Sequence, residues 1–413
     1  MRYSIWSLAK HALSGHRRWP QVWRSPEPRS SYDVVIVGGG GHGLATAYYL
    51  AKVHGIRNVA VLEKGWLGGG NSGRNTQVTR SNYFHRVSTE FFDYSLRLYE
   101  SLGRELNFNV MLSQHGVLNT AHSRHDLETM RRWANAIRIN GVDSRLLTVD
   151  EVKQLVPAIR VDGSLPVLGG FIQPRGGISR HDAVNWAYAR AANALGVDII
   201  QNCAVQGFER SGGKVVAVQT SQGRIAAGSY CLNVAGHSTQ LAELAGFRLP
   251  LMSMALQAMV SEPVKPMLDV TLFAPALKIY ISQTDRGEVL IGGSADIYNS
   301  FGQRGSFAVT REVLAAIVEL LPSFSRLKLM RQWGGVVDIS PDTSPIMGAS
   351  PLQNLYLNCG WGTGGYKAIP GGGATMAYTI ANGTPHPLIT AFGLDRFARA
   401  ALVDEGAAAG VAH

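Results

Sequence analysis

Three glycines and one acid set the first chemical constraint. Gly38, Gly40 and Gly43 form G-x-G-x-x-G, and Glu63 follows Gly43 by 20 residues. At this spacing the glycines permit a tight turn and let the backbone approach a pyrophosphate, whose charge is met by the N-terminus of the following helix. Gly41 and His42 lie inside the same turn and belong to the expected cofactor site. Glu63, with Lys64 beside it, ends a strand and accepts from ribose hydroxyls. The chemistry is binding of a dinucleotide, FAD or NAD.

Later segments decide between the two. Gly68-Gly-Gly-Asn-Ser72 follows the acid and offers Gly70, Asn71 and Ser72. Asn233-Val-Ala-Gly236 offers Ala235 and Gly236, and Val205 joins the same expected site. Gly360-Trp-Gly-Thr-Gly-Gly365 offers Gly362, Gly364 and Gly365 ahead of Pro370-Gly-Gly-Gly373. A flavin extended across a domain needs backbone loops along its length, so the predicted cofactor is non-covalent FAD.

The elements that carry these loops follow from periodicity. Tyr32–Val37 is an apolar run of buried-strand type, Leu44–Ala51 has helical spacing, and Val59–Leu62 is a second strand. The pattern between about Ser88 and Ile139 is helical, with a strand-like interruption at Gly116–Asn119. Thr148 and Glu151 form a capping box. Asp182–Leu195 reads as a helix with Gly196 as its C-cap, followed by a strand at Val197–Ile200. Lys214–Thr220, Arg224–Ala227 and Ser229–Val234 read as short strands, as do Lys278–Ser282 and Glu288–Gly293, and Arg311–Leu321 as a helix. The predicted class is α/β, a Rossmann-type FAD-binding domain interleaved with a β-rich substrate domain. The FAD-binding pieces are 31–90, 165–247 and 331–413, the substrate or interface pieces 91–164 and 248–330, and 1–30 is a separate arm.

Composition excludes other classes. With 413 residues, 46% hydrophobic and 16% charged, the chain buries a substantial core. No apolar run reaches the roughly 18 to 20 residues of a membrane span, and no nucleic-acid motif accompanies the basic charge. No partner membrane or nucleic acid is therefore expected. Cys203, Cys231 and Cys359 are scattered without metal-ligand spacing, so no metal is expected and a reducing cytoplasm fits. The arm carries Arg2, Lys10, Arg17, Arg18, Arg24 and Arg29 against Glu27, with Trp6, Trp19 and Trp23 interspersed, and is expected to dock on a partner subunit, a transit-like or membrane-surface segment being the other reading. The tail Gly406–Gly410 is low in complexity.

In this order, the pieces resemble the D-amino-acid-oxidase-like flavoproteins, and among them the beta subunits of heterotetrameric sarcosine oxidases. The resemblance runs from about Ser31 to His413. It is carried by Val34-Val-Ile-Val-Gly-Gly-Gly-Gly-His-Gly-Leu-Ala-Thr-Ala47, Val61-Leu-Glu-Lys-Gly-Trp66, Gln173-Pro-Arg-Gly-Gly-Ile-Ser-Arg-His-Asp182 and Asn358-Cys-Gly-Trp-Gly-Thr-Gly-Gly-Tyr-Lys367. It implies oxidative demethylation of sarcosine: hydride passes to FAD, electrons pass to a second flavin, FMN, and oxygen becomes peroxide. The carbon leaves as formaldehyde or as methylenetetrahydrofolate, the tetrahydrofolate being bound by the alpha subunit; gamma and delta subunits complete the complex. The family links its FMN covalently to a histidine in the motif that here reads Arg180-His181-Asp182, which makes His181 the expected attachment point. Arg180, with Arg175, would hold the phosphate.

A small amino acid needs its carboxylate held by cations so that its methyl group lies over the flavin. Arg80, closing Asn75–Arg80, matches a substrate-binding arginine of related amine oxidases, and Lys367 matches a carboxylate-binding lysine. Lys278 and Tyr280 stand in a strand context where related oxidases place a flavin-facing lysine. Trp361 and Tyr366 are expected to pack around the flavin loop. Two other readings stay open: another secondary-amine or amino-acid dehydrogenase of the same fold (glycine, dimethylglycine or opine), and a non-catalytic electron-transfer subunit.

Overall fold

A computed structural model of the chain describes residues 4–17, 19 and 21–405. Arg2 and Arg18 of the arm and the tail Gly406–Gly410 lie outside the described residues.

The apolar run Ser31–Val37 becomes the central strand of an eight-stranded sheet. It pairs in parallel with Val59–Leu62 on one side and Gly223–Leu232 on the other, with Val35 opposite both Ala60 and Tyr230. Asp198–Ile200 extends one side in parallel, and Leu355–Cys359 and then Ile346–Ala349 extend the other. Val35 and Ile36 are fully buried, each contributing on the order of 1.5–3 kcal/mol as its side chain leaves water. The helices Gly41–Val53, His181–Ala194 and Ile369–Asn382 share a core with one face of this sheet. The expected pair of strands at Arg224–Ala227 and Ser229–Val234 is one strand, Gly223–Leu232. Gly228 passes through it in an extended run instead of breaking it.

A second eight-stranded sheet is mostly antiparallel, in the order Leu329–Ile339, Met252–Pro263, Glu288–Ala295, Ile279–Gln283, Thr271–Ala274, Val117–Ala121, Gly169–Gln173, Arg145–Leu147. Alternation sets its two faces. Leu272, Ile279 and Ile281 pack with Val309, Val313 and Ile317 of the helix Phe307–Leu320. Phe273 and Tyr280, one residue out of phase, face a cavity. Segments 169–173 and 329–339 thus pair in this sheet, although the sequence grouped 165–247 and 331–413 with the nucleotide domain. A two-stranded ribbon, Val78–Thr79 with Gly177–Ile178, carries Arg80 at one end and leads to His181 at the other.

The arm divides in two. Trp23 packs on the main core, Arg24 donates to Asn193 and Arg29 pairs with Asp198 at 2.7 Å. These contacts cover the edge strand Asp198–Ile200, which blunts an otherwise open sheet edge. The preceding helix Ile5–Leu13 buries nothing, and Ile5, Trp6, Leu8 and Leu13 are exposed.

Candidate functional site

A cavity of about 1130 Å³ lies between the two sheets. Four loops from the first sheet approach it, and each is shaped by its sequence. Gly38 sits at φ 110°, where a side chain would strike the Asn233 carbonyl. Gly43 lies so close to the Gly38 carbonyl that a β-carbon has no room. Gly40 differs: the one atom close to a built β-carbon is Ser72 Oγ at 3.0 Å, so the protein itself leaves space there. Gly38 and Gly43 close the turn, whereas Gly40 keeps the approach to the helix N-terminus open for a ligand. Gly40→Val is therefore expected to fold but to purify without FAD, and Gly43→Val to fail to fold. Flavin content and a thermal melt check both, and full FAD occupancy in Gly40→Val refutes the assignment.

Side chains bind the loops to one another. Glu63 accepts from Gly39 N and Gly65 N, both at 2.9 Å, so two of its lone-pair directions hold backbone and others stay available to a ribose. Ser72 Oγ accepts from Gly41 N at 2.9 Å. His42 donates from Nε2 to the Gly365 carbonyl at 2.8 Å and stacks on Trp361, with ring centroids 4.6 Å apart. Burial pulls its pKa down to about 4, so it is a neutral strut. Trp361 Nε1 donates to Asn358 Oδ1, and Asn358 Nδ2 to Asn233 Oδ1, both at 2.8 Å. This chain ties the loops at 38–43, 233–236 and 358–365 together.

Lys64, Gly70, Asn71, Val205, Ala235, Gly236, Gly362 and Gly365 also line the cavity. Lys64 Nζ lies 3.2 Å from His237 Nε2, and Asn71 donates to the Val336 carbonyl. Gly43 and Gly364 stand behind the wall, Gly364 against Tyr83 and Phe92. Asp338 is a wall residue the sequence reading missed. It is buried, accepts from Gly360 N at 2.7 Å and Ser238 Oγ at 3.1 Å, and burial pushes its pKa up to about 6. A lone acid amid the apolar run before it was the available signal.

The cations expected to hold a carboxylate both reach the cavity. Arg80 is buried, donates to Asn82 Oδ1 at 2.6 Å and lies 4.7 Å from the Tyr83 ring centre and 5.7 Å from that of Phe273. Lys367 is buried, and its Nζ donates to the Thr363 carbonyl at 3.0 Å. Burial first, and then the charge of Arg80, hold its pKa well below the ordinary lysine value. Tyr280 lines the same wall, stacked on Phe273 and accepting from Thr76 Oγ1 at 2.9 Å. Lys278 does not join them. It is exposed at φ 53° in the turn after Pro275–Leu277, so the strand that points Tyr280 inward has not yet begun.

His181 and Arg180 lie outside this cavity wall. His181 opens the helix His181–Ala194, its Nδ1 is buried without a hydrogen-bond partner, and burial lowers its pKa. Arg180 pairs with Asp182 at 2.8 Å, and Arg175 with Glu100 and Asp93. Both arginines, expected on a phosphate, already have carboxylate partners. Among the described residues no helix is long and apolar enough to cross a membrane, and no cluster of residues suits a metal.

The parallel strands with their glycine turn, the acid after the second strand and a large cavity walled by a second sheet define a flavin-dependent oxidoreductase. The chain belongs to the family described as FAD dependent oxidoreductase, whose model matches residues 33–379. It is an oxidoreductase that uses FAD. It is 51% identical to sarcosine oxidase subunit beta of Rhodobacter capsulatus over the whole of both chains. It is 52% identical to sarcosine oxidase subunit beta of an Arthrobacter species, over 95% of this chain and 97% of that one. Its fold matches L-proline dehydrogenase from P. horikoshii with a TM-score of 0.86 at 23% identity, over 91% of this chain and 100% of that one.

Proposed function

We propose that the chain is the sarcosine-oxidising subunit of a multi-chain enzyme. The observation that carries this reading is the pair of buried cations, Arg80 and Lys367, facing one cavity beside the flavin loops. The full-length similarity to sarcosine oxidase beta subunits supports it. The exposed apolar residues of helix Ile5–Leu13 suit an assembly with other chains.

The two cations bind and orient the substrate carboxylate. Phe273 and Tyr280 pack against its apolar part and keep water out. His42, Asn233, Asn358 and Trp361 hold the loops that cradle FAD, and Glu63 takes the ribose. The residues present also fit a second flavin at His181: a neutral imidazole with a buried, unpartnered Nδ1 is a competent nucleophile toward the 8α carbon of FMN. Because Arg175 and Arg180 are paired with acids, an FMN phosphate would need its counter-charge from other residues or another subunit. Held by these residues, FAD would supply the acceptor for hydride from the N-methyl carbon, and FMN would supply the route for the electrons to dioxygen, which becomes hydrogen peroxide. Water adds to the remaining imine and the C–N bond breaks, giving glycine and formaldehyde, or tetrahydrofolate supplied by a partner takes the carbon in place of water, giving glycine and methylenetetrahydrofolate.

Anaerobic sarcosine is expected to bleach the visible flavin band of the purified complex faster than glycine, dimethylglycine or an opine does. Faster bleaching by any of these assigns another amine. No bleaching by any of them favours the electron-transfer subunit.

A further inference from the structure

The last described stretch of the chain returns to the span that follows Arg80, behind the wall of the substrate cavity. Arg396 and Asp342 form a fully buried pair at 2.7 and 2.8 Å. Asp342 also accepts from Val403 N at 3.1 Å, and Ser344 Oγ donates to the Val403 carbonyl at 2.6 Å. This anchorage delivers Glu405, 1% exposed, to the start of the helix Arg86–Glu105. That helix has no capping side chain of its own and no acid in its first turn. Its leading N–H groups need acceptors, and its positive end favours an anion. Glu405 places a carboxylate at this end from some 320 positions away: Phe84 N, just ahead of the helix, donates to Oε2 at 3.0 Å, and His85 N, at its N-cap, to Oε1 at 2.8 Å.

Phe84 and His85 directly follow Tyr83. The Tyr83 ring stacks on Phe92 with centroids 3.7 Å apart and carries the Arg80 guanidinium 4.7 Å from its centre. Between Arg80 and the helix the chain is therefore a short span held at both ends. Ser81 N donates to Gln173 Oε1 and Trp133 Nε1 to the Asn82 carbonyl, both at 3.0 Å, at the near end. Glu405 holds the far end.

We propose that Glu405 is a positioning residue for the substrate carboxylate. By fixing Phe84 and His85 it sets the Tyr83 ring, and through that ring the plane of the Arg80 guanidinium. This inference rests on the reading of Arg80 as a carboxylate clamp. The charged and titratable groups facing Glu405 are His85, Tyr83 and, beyond Tyr83, Arg80. Burial raises the carboxyl pKa, while the two backbone donors, Ser88 and His85 oppose it. Acid protonates one of the two acceptors, so the low-pH limb of kcat/KM contains a contribution from Glu405.

The test uses the intact multi-chain enzyme. Glu405→Gln is expected to raise KM for sarcosine by about five- to twentyfold, with kcat changed by less than about twofold and FAD content unchanged. Inhibition by acetate, a bare carboxylate, weakens by the same factor, and the low-pH contribution disappears. In an Arg80→Ala background the same substitution adds nothing, because the group it positions is gone. An Arg80→Ala enzyme with unchanged KM defeats the clamp reading itself, whatever Glu405 does. If Arg80→Ala raises KM and Glu405→Gln does not, or raises it equally with and without Arg80, the positioning role is overturned. Should Glu405→Gln not fold, Tyr83→Leu leaves the tail intact and runs the same cycle with the same two outcomes.

Discussion

Arg80→Ala and Lys367→Met are each expected to raise KM for sarcosine roughly ten- to a hundredfold while FAD stays bound. A charge-assisted contact to a partly buried carboxylate contributes about 1.5–3 kcal/mol, and each 1.4 kcal/mol is about tenfold in affinity. The two variants part on stability. Arg80 fills the space beside Tyr83 and Phe273 and satisfies Asn82 Oδ1, so its removal leaves a gap and an unmatched acceptor. Lys367 is an ammonium held out of water with one carbonyl acceptor. A methionine of similar length removes the desolvation cost, so Lys367→Met should melt no lower than the wild type. The pH dependence follows from the depressed Lys367 pKa. The unfolded chain keeps a proton on this lysine up to its ordinary value of 10.5, and the folded chain loses it earlier. Stability therefore rises with pH across that interval. Carboxylate binding needs the cation and weakens as pH rises through the folded-state pKa. Steady-state kinetics and thermal melts from neutral to alkaline pH check both trends, and unchanged KM in both variants removes the pair from the substrate site.

What could be read in the sequence divides by physical cause. The glycine turn was legible because its chemistry belongs to the backbone: Gly38 and Gly43 tolerate no side chain, and such positions announce themselves without tertiary context. The capping box at Thr148 and Glu151 was legible for the same reason, since Thr148 accepts from Glu151 N and Glu151 from Thr148 N. The long strands Met252–Pro263 and Leu329–Ile339 were not. Ser253, Gln257 and Ser261 are buried in the first of them, which erases the polar-out alternation that marks a half-exposed strand. Gln257 is tolerated there because Asp296, Ser306 and Gln332 satisfy its amide, a set of partners that no local window contains.

The candidate site divides the same way. The loops nearest the cofactor were visible, but Lys278 and Tyr280, two residues apart, were grouped although a left-handed turn sends one to solvent and starts the other's strand. The roles expected of Arg175 and Arg180 came from proximity along the chain. Their partners, Glu100 and Asp93 for one and Asp182 for the other, are set by folding. Asp338 and the loop-to-loop chain through His42, Trp361, Asn358 and Asn233 need the sheet order before they exist at all.

His181→Ala should abolish covalent flavin while FAD remains, the sharpest change expected of any substitution here. A covalent bond survives denaturation, which releases every non-covalent cofactor, so the wild-type chain from the assembled enzyme should fluoresce on a denaturing gel with about one FMN per chain. Attack on the 8α carbon of an oxidised flavin needs an imidazole nitrogen with a free lone pair; an 8α proton is lost, the electron pair passes into the flavin ring, and dioxygen would then reoxidise it. Burial lowers the His181 pKa, Asp182 opposing and Arg180 assisting, so the ring is neutral at pH 7. Nδ1 makes no hydrogen bond that would compete for its lone pair. The backbone that carries the ring is also fixed: His181 is the first residue of a 14-residue helix, and Arg180 N donates to the Val110 carbonyl at 2.9 Å. The helix N-terminus adds a modest preference for negative charge nearby, worth about 0.3–1 kcal/mol. Truncating one largely buried ring that makes no hydrogen bond through Nδ1 should cost stability on the order of 1 kcal/mol, too little to unfold the chain, so lost fluorescence reports the linkage and not the fold. In that variant sarcosine should still bleach FAD, and peroxide production should fall sharply. A fluorescent His181→Ala chain places the bond on another residue, and a dark wild-type chain isolated with its partners removes the second flavin from the reaction.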